Sequence, residues 1–201
     1  MTALKGKRVG VDMAGTGGAV LAACLKRETM SLGNVEAVQL VQAEMVDALK
    51  DGAVDAAVVS EPWLTLLRES GYAVVSDAGR SGLPVVRVLV VKDAELALHA
   101  ASLTALISVW DRPPPSAGQP GWEEVLRREG LSANQYRECL KMLRPVDRVE
   151  NGVWLGGNSP KLEAISQQWE VILREAGIIS ERHLPNEPWF DDQFVKREVE
   201  K

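Results

Sequence analysis

Two short stretches of the sequence combine residue types that bind small molecules. In the first, Glu61 and Trp63 stand on either side of Pro62, directly after an apolar run. A carboxylate accepts hydrogen bonds from an amine, and an indole ring offers apolar contact. The alternatives without a ligand are a solvated carboxylate at a strand end for Glu61 and packing on the following helix for Trp63.

The second stretch is a turn rich in small residues, 12–18, which ends in Thr16, Gly17 and Gly18. A helical run follows it, and the free amides and dipole of a first helical turn favour negative charge. The alternative is an ordinary helix start that Thr16 caps, with glycines that only make the turn. The spacing matches neither a Walker loop nor the dinucleotide fingerprint.

The apolar run before Glu61, residues 54–59, predicts a strand that is buried on both faces, as in a parallel sheet. Pro62 suits the first position of the next helix. Open α/β sheets bind ligands at the carboxyl ends of their strands, which is where this acid and this indole stand.

The remaining elements extend this pattern along the chain. Strands are predicted at 7–11, 34–41, 54–59, 72–75 and 85–91, and helices at 19–28, 44–50, 62–69, 96–110, 122–128, 132–143 and 161–176. Residues 145–160 are predicted to be irregular. Alternating strands and short helices predict an α/β fold with a doubly wound, mainly parallel sheet, followed by a helical C-terminal region.

The composition limits the possible functions. A net charge of −5, with no basic face in either half, makes nucleic acid a poor partner. No apolar run approaches the roughly 20 residues of a membrane span, and the first residues lack the apolar core of a signal peptide. As written, the chain is expected to stay in the cytoplasm. Its two cysteines and two histidines suggest no metal site, cofactor or nucleophile–base pair, so no enzyme is expected.

The order of motifs resembles a known family. The matching stretches are Leu-Lys-Gly-Lys at 4–7, Gly-Ala-Val-Asp-Ala at 52–56, Glu-Pro-Trp at 61–63, an apolar strand at 84–91, Arg-Glu-Gly-Leu-Ser at 128–132 and Glu-Ala-Gly-Ile-Ile at 175–179. They resemble the solute-binding proteins of ABC transporters in the nitrate/sulfonate/taurine group, which includes relatives that bind thiamine-pyrimidine precursors. The resemblance covers nearly the whole chain.

The resemblance implies a type II periplasmic-binding-protein fold, in which two lobes clamp a ligand and an ABC permease is the partner. Residues 1–90 would form the second lobe, and residues 91–201 the helical region that normally completes the first lobe. The opening βαβ units of the first lobe and the export signal have no counterpart here. A periplasmic or extracytoplasmic location is implied if such an upstream part is missing.

This departure has an energetic consequence. Helices 96–110 and 161–176 would lack the sheet they usually cover, and each large apolar side chain is worth about 1.5–3 kcal/mol when buried. These helices must therefore repack on the existing sheet or bury against a second copy or another chain. A chain that exists alone is expected to form a homo-oligomer.

The leading hypothesis is a binding protein for a small anionic or polar solute such as a sulfonate, nitrate or pyrimidine. The head group would lie on Thr16, Gly17 and Gly18, while Glu61 and Trp63 would complete half of the site. The alternative is a truncated remnant that binds no solute and acts as an oligomeric structural or interaction protein. Relatives with this fold make a thiamine pyrimidine, but without clustered Cys or His an enzyme is the least favoured class.

Overall fold

A computed structural model describes residues 1–110, 112–157, 160–180, 190 and 192–196. The strands are β1 (Arg8–Val11), β2 (Glu36–Gln39) and β3 (Ala56–Ala57). The helices are α1 (Thr16–Arg27), α2 (Gln42–Lys50), α3 (Trp63–Glu69), α4 (Ala78–Ser81), α5 (Asp93–Leu96), α6 (Ala100–Trp110), α7 (Trp122–Glu129), α8 (Ala133–Met142), α9 (Arg148–Leu155), α10 (Lys161–Glu175) and α11 (Gln193–Lys196).

The three strands form one small parallel sheet in the order β2-β1-β3. All four residues of β1 pair with β2, whereas β3 pairs with only Val9 and Gly10 of β1. The predicted class, α/β with a parallel sheet followed by a helical region, is confirmed, and the sheet is smaller than expected.

Successive side chains of β1 point to opposite faces of the sheet, and helices cover both of these faces. Val9 and Val11 are fully buried in one cluster with Leu21 and Leu25 of α1. Gly10 faces the other way, where an added Cβ would lie 3.2 Å from the Leu40 side chain, and α2 contacts the sheet. The sheet is thus wound on both faces, as the alternation of strands and helices predicts.

A charged contact secures the pairing of β1 with the segment before β3. The Arg8 guanidinium donates to the Asp55 carboxylate and, at 2.8 Å, to the Gly52 carbonyl. The Arg8 amide donates to the same carboxylate at 2.9 Å. These hydrogen bonds are the main cause that holds the pKa of Asp55 below its ordinary value.

Two predicted strands, 72–75 and 85–91, are absent from the sheet. Each is rich in valine, but an apolar sequence becomes a strand only where a neighbour offers free N–H and C=O groups. β3 pairs over two residues only, so the described sheet offers no long edge on that side. The strand assignment for both segments was wrong.

The prediction of an irregular segment at 145–160 was also wrong, because α9 forms there. The Asp147 side chain caps this helix by accepting from the Glu150 amide at 2.8 Å. Glu150 in turn accepts from Arg144 at 2.7 Å and from the Trp154 indole at 3.2 Å. These side-chain bonds offset the weak helix propensity of the glycine within α9.

Among the C-terminal helices, α10 packs on α1. Trp169, Ile172 and Leu173 of α10 lie against a buried cluster of Ala19, Ala23 and Leu83. The Trp169 indole donates to the Pro84 carbonyl at 2.7 Å, and Lys26 forms an ion pair with Glu175. For α10, the apolar face is therefore covered within the chain itself.

Helices α7 and α8 pack together and reach the α/β part through α3. Trp122 and Tyr136 meet edge to face with ring centroids 5.1 Å apart. Ser132 caps α8 by accepting from the Gln135 amide at 3.2 Å, as the sequence predicts. Asn134 then donates to Glu69 of α3 at 2.8 Å, which links the two regions.

The first prediction concerns the core under β1. Leu25→Ala is expected to lower the free energy of unfolding by about 2–5 kcal/mol, because Leu25 has no exposed surface and a cavity would remain. Urea unfolding is the measurement. Leu98→Ala is the control, since Leu98 is 75% exposed and its loss should change stability by less than about 0.5 kcal/mol. Equal effects would contradict this account of the core.

The second prediction concerns the pH dependence of stability. The pKa of Asp55 is lower in the folded state than in the unfolded state. The contribution of Asp55 to stability is therefore fully present at pH values above its unfolded-state pKa, and it is lost as the pH falls through its folded-state pKa. Asp55→Asn should therefore destabilise the protein at pH 7 and reduce the fall in stability below about pH 4. Asp51→Asn, at an exposed residue without a described ion pair, is the control in acid-dependent thermal unfolding. Identical pH profiles for the parent chain and Asp55→Asn would contradict the assignment.

Candidate functional site

The carboxyl ends of all three strands lie at one edge of the sheet, because the strands are parallel. In the order β2-β1-β3, the connection after β1 runs to one side and the chain crosses back to place β3 on the other. The crevice between β1 and β3 is therefore the switch point, where open α/β sheets bind ligands. The turn 12–18 follows β1, and the segment 58–63 follows β3. The topology thus brings the two predicted stretches to the same crevice.

The turn after β1 leaves a helix terminus open. α1 begins at Thr16, and the residue before it, Gly15, is the N-cap, with no side-chain cap hydrogen bond. The alternative in which Thr16 caps the helix is therefore wrong. The Asp12 carbonyl accepts from the Gly15 and Gly18 amides at 3.3 Å each. Among the described residues, the amides of Thr16 and Gly17 have no acceptor, and Thr16 is exposed.

Gln39, the last residue of β2, holds this turn in place. Its side-chain carbonyl accepts from the Met13 amide at 2.9 Å, and its amide group donates to the Asp12 carboxylate at 3.3 Å. The same carboxylate oxygen accepts from the Ala14 amide at 3.2 Å. The turn is thereby fixed to the neighbouring strand end, and a carboxylate is positioned within it.

A second glutamine secures the segment after β3. The Gln42 side-chain carbonyl accepts from the Ser60 amide at 2.7 Å and from the Ser60 hydroxyl at 2.8 Å. Because Gln42 is the first residue of α2, this pair joins the connection after β2 to the connection after β3. All three strand ends are thus joined by side-chain amides.

Glu61 is turned towards its own helix. One carboxylate oxygen accepts from the Thr65 amide at 3.1 Å, so Glu61 satisfies a donor in the first turn of α3. The other oxygen, Oε1, is buried without a hydrogen-bond partner among the described residues. The pKa of the Cys139 thiol on α8 is raised by burial and, secondarily, by the Glu61 carboxylate. The Glu61 carboxylate is therefore close enough to act on this α8 thiol electrostatically.

Trp63 is the first residue of α3, and Pro62 is the N-cap after a cis Glu61–Pro62 peptide bond. The Trp63 side chain is half-buried. α3 packs against α2 and α8, so the helix that carries Trp63 has neighbours that can cover the indole. The predicted role of Trp63 in ligand contact stays a prediction.

Four residues at this edge were missed by the sequence reasoning: Asp12, Gln39, Gln42 and Ser60. A signal for them exists, since each is a polar residue at, or within three residues of, the carboxyl end of a strand. Polar side chains in that position are typical of ligand sites in parallel sheets. The reasoning concentrated on glycines and on the Glu-Pro-Trp end instead.

One groove in the described structure lies away from this edge of the sheet. It has a volume of about 580 Å³ and runs between α1, α4 and α10, with Lys26 and Arg27 at one side and Leu83 and Ile172 among its apolar residues. Lys26 and Arg27 are the last residues of α1, so this groove is at the far end of α1 from the turn. It is therefore separate from the candidate site.

Two structural properties bear on the classes of function. In the described residues, no cluster of three or more His, Cys, Asp or Glu side chains is arranged to hold a metal ion. No helix in the same part of the chain is both long and apolar enough to cross a membrane.

Comparison with known proteins agrees with this fold. Residues 1–75 match a family model described as NMT1/THI5 like. A solved structure, the periplasmic aliphatic sulphonate binding protein SsuA from Escherichia coli, aligns with a TM-score of 0.63 and 16% sequence identity. The chain has the fold of a periplasmic solute-binding protein. The predicted resemblance to ABC-transporter solute-binding proteins of this group is confirmed.

The likeness is partial in length. The alignment covers 90% of this chain and 60% of SsuA, so the chain spans about three fifths of the structure it matches. No curated protein matches the sequence. The division into a second lobe at 1–90 and a helical region at 91–201 stays a prediction.

The third prediction tests the geometry of the turn. A Cβ at residue 15 would lie 2.9 Å from an Asp12 carboxylate oxygen, so Gly15→Ala must displace that carboxylate. We expect shifted amide NMR signals at Met13 and Ala14 and a stability loss of about 1 kcal/mol from the weakened hydrogen bonds. Gly33→Ala is the control, because its nearest contact would be 3.7 Å away. Unchanged Met13 and Ala14 signals in Gly15→Ala would contradict the described turn.

Proposed function

We propose that the chain is a non-enzymatic solute-binding protein of the ABC-transporter type, or one lobe of such a protein. The observation that carries this proposal is the open start of α1 at the switch point, where the Thr16 and Gly17 amides lack acceptors among the described residues. Free amides at a helix start attract an anionic or strongly polar head group. SsuA, which has the same fold, is named as an aliphatic sulphonate binding protein.

The donors and acceptors at the turn favour a particular kind of solute. The amides of Thr16 and Gly17 and the Thr16 hydroxyl offer donors, while the Gly18 amide already donates to the Asp12 carbonyl. The Asp12 carboxylate within the same turn would repel a simple anion. We therefore expect a small solute that carries both an acidic or polar acceptor and a hydrogen-bond donor, such as an aminosulfonate or an aminopyrimidine, in preference to nitrate.

Glu61 and Trp63 complete the proposal in different ways. Because the Glu61 carboxylate accepts from the Thr65 amide, its first role is to fix the start of α3. Its second oxygen, Oε1, is buried without a described partner, so Glu61 would accept from a ligand amine only after its side chain turns out of this position. Trp63 would supply apolar contact beside it. These five residues, Thr16, Gly17, Gly18, Glu61 and Trp63, are proposed as one wall of the site.

The family resemblance supplies the proposed setting of this activity. A solute-binding protein of this type delivers its ligand to an ABC permease, and the periplasm is its usual location. Since the chain spans 60% of SsuA, the opposite wall of the site is proposed to belong to a further segment or another chain.

A second function has one specific observation in its favour. The segment 85–91 is apolar and exposed, and its backbone is unpaired within the described residues. A protein recruited for assembly would present such a surface. In that case the chain would act as an oligomeric interaction protein and bind no solute.

The fourth prediction separates these functions by isothermal titration with an alkanesulfonate, an aminosulfonate, nitrate and an aminopyrimidine. Thr16→Pro should lower the affinity for the best ligand by about tenfold or more, since one amide that faces a charged group is lost. The variant should fold, because proline is accepted at the first helical position and Gly15 is already extended.

The control places the same change at another helix start. Ala133 is the first residue of α8 and follows an extended Ser132, so Ala133→Pro should leave the affinity unchanged. Absence of heat with every solute on a folded sample would contradict solute binding and favour the interaction protein. Equal affinity for the parent chain and Thr16→Pro would contradict the turn as the head-group site.

A further inference from the structure

The Gln42 side chain uses only half of its hydrogen-bonding capacity. Its oxygen, Oε1, accepts from the Ser60 amide at 2.7 Å and from the Ser60 hydroxyl at 2.8 Å. Because a backbone N–H donates to the oxygen of a side-chain amide and not to its nitrogen, this contact fixes the side on which the nitrogen lies. The Gln42 NH2 group has no acceptor among the described residues, and its nitrogen is not buried.

The backbone around Gln42 places this NH2 group beside the end of the central strand. The Leu40 amide donates to the last carbonyl of β1 at 3.2 Å, and the Val58 amide donates to the carbonyl before it at 2.9 Å. Leu40 and Val58 therefore flank the end of β1. Gln42 and Ser60 each lie two residues further along these two segments. Their contact thus joins the two sides of the point where the chain leaves β1 for the turn 12–18.

The two helices that begin at this edge cover different faces of the sheet. α1 packs on the face that carries Val9 and Val11, and α2 lies on the face towards which Gly10 is turned. The unmatched backbone amides at the start of α1 are thus on one side of the crevice. The NH2 group of Gln42, the first residue of α2, is on the other side.

We propose that Gln42 is a ligand-binding residue, whose NH2 group donates a hydrogen bond to an acceptor atom of the solute. This inference rests on the proposed function and adds a requirement to it. The solute needs at least two acceptor atoms, one for the amides at the start of α1 and one for Gln42. The three oxygens of a sulfonate or the two ring nitrogens of a pyrimidine meet this requirement.

The bonds from Ser60 prepare Gln42 for this role. A long side chain loses rotamer freedom when it binds a ligand, and this loss weakens binding. Gln42 is already held by two hydrogen bonds, so little freedom remains to be lost. Gln39, the other glutamine at this edge, has both of its groups in use, since it accepts from Met13 and donates to Asp12. Of these two glutamines, Gln42 is therefore the one that can donate to a solute.

The fifth prediction uses a substitution that keeps the hold on Ser60 and removes the donor. In Gln42→Glu, a carboxylate oxygen can still accept both bonds from Ser60, but no NH2 group remains. Isothermal titration should show that the affinity for the aminosulfonate taurine, or for an aminopyrimidine, falls about tenfold or more.

Gln135→Glu is the matched control, because it adds the same charge to a glutamine in a similar setting. Gln135 is also half-buried, and its side-chain oxygen accepts from the Ser132 amide at 2.8 Å. Its neighbour Asn134 contacts Glu69, at the end of α3 away from Trp63. The affinity of Gln135→Glu should therefore equal that of the parent chain.

The outcomes separate this inference from the proposed function. Equal affinity for the parent chain and Gln42→Glu would overturn the inference, since Gln42 would then only position Ser60. An equal fall in Gln42→Glu and Gln135→Glu would also overturn it, because the added charge alone would explain the fall. Absence of binding by both probes would overturn it as well, whereas heat with an alkanesulfonate or nitrate would still support solute binding.

Side-chain NMR signals test the contact without any substitution. On saturation of the parent chain with taurine or an aminopyrimidine, the NH2 signals of Gln42 should shift, and those of Gln135 should stay in place. A probe that binds and leaves the Gln42 signals unchanged would contradict the proposed hydrogen bond.

Discussion

The pairing of β1 with a parallel strand on each side is the constraint on which the described structure depends. It places Val9 and Val11 under α1 and turns Gly10 towards the Leu40 side chain, so that helices cover both faces. It also brings the chain segments after all three strands to one edge. The open start of α1, the glutamine contacts and the Glu61 cap all follow from that common edge.

Hydrogen bonds of side-chain amides hold this edge of the sheet together. The charged residue within the turn 12–18 is Asp12. Gln39 binds the backbone and carboxylate of the turn after β1, and Gln42 binds Ser60 after β3. An amide can donate and accept at once without the desolvation cost of a charge. This leaves the Thr16 and Gly17 amides as unmatched donors, and it gives the proposed site a mixed polar character.

Much of the α/β part was predictable because its signals are local. Each of these signals lies within one short window of sequence: the apolar runs before Asp12 and Glu61, the Ser132 cap and the amphipathic face of α10. The hydrogen bond from the Thr65 amide to Glu61 lies within one helical turn, but the burial of the second Glu61 oxygen was not predictable, since burial depends on elements that are distant in sequence. The segments 72–75 and 85–91 show the opposite error: their local β propensity is strong, but the neighbour that would make them strands is not in the described sheet.

The contact between α1 and α10 has a consequence for how the chain matures. The ion pair of Lys26 with Glu175 spans 149 residues of sequence. At a synthesis rate of about 5–20 residues per second, α1 is synthesised roughly 7–30 s before the partner residue in α10. During that interval Ala19 and Ala23 are without the apolar cover of α10, although the β1–α1–β2 unit beneath them is already complete. The contact between α1 and α10 therefore forms only after most of the described chain has been synthesised.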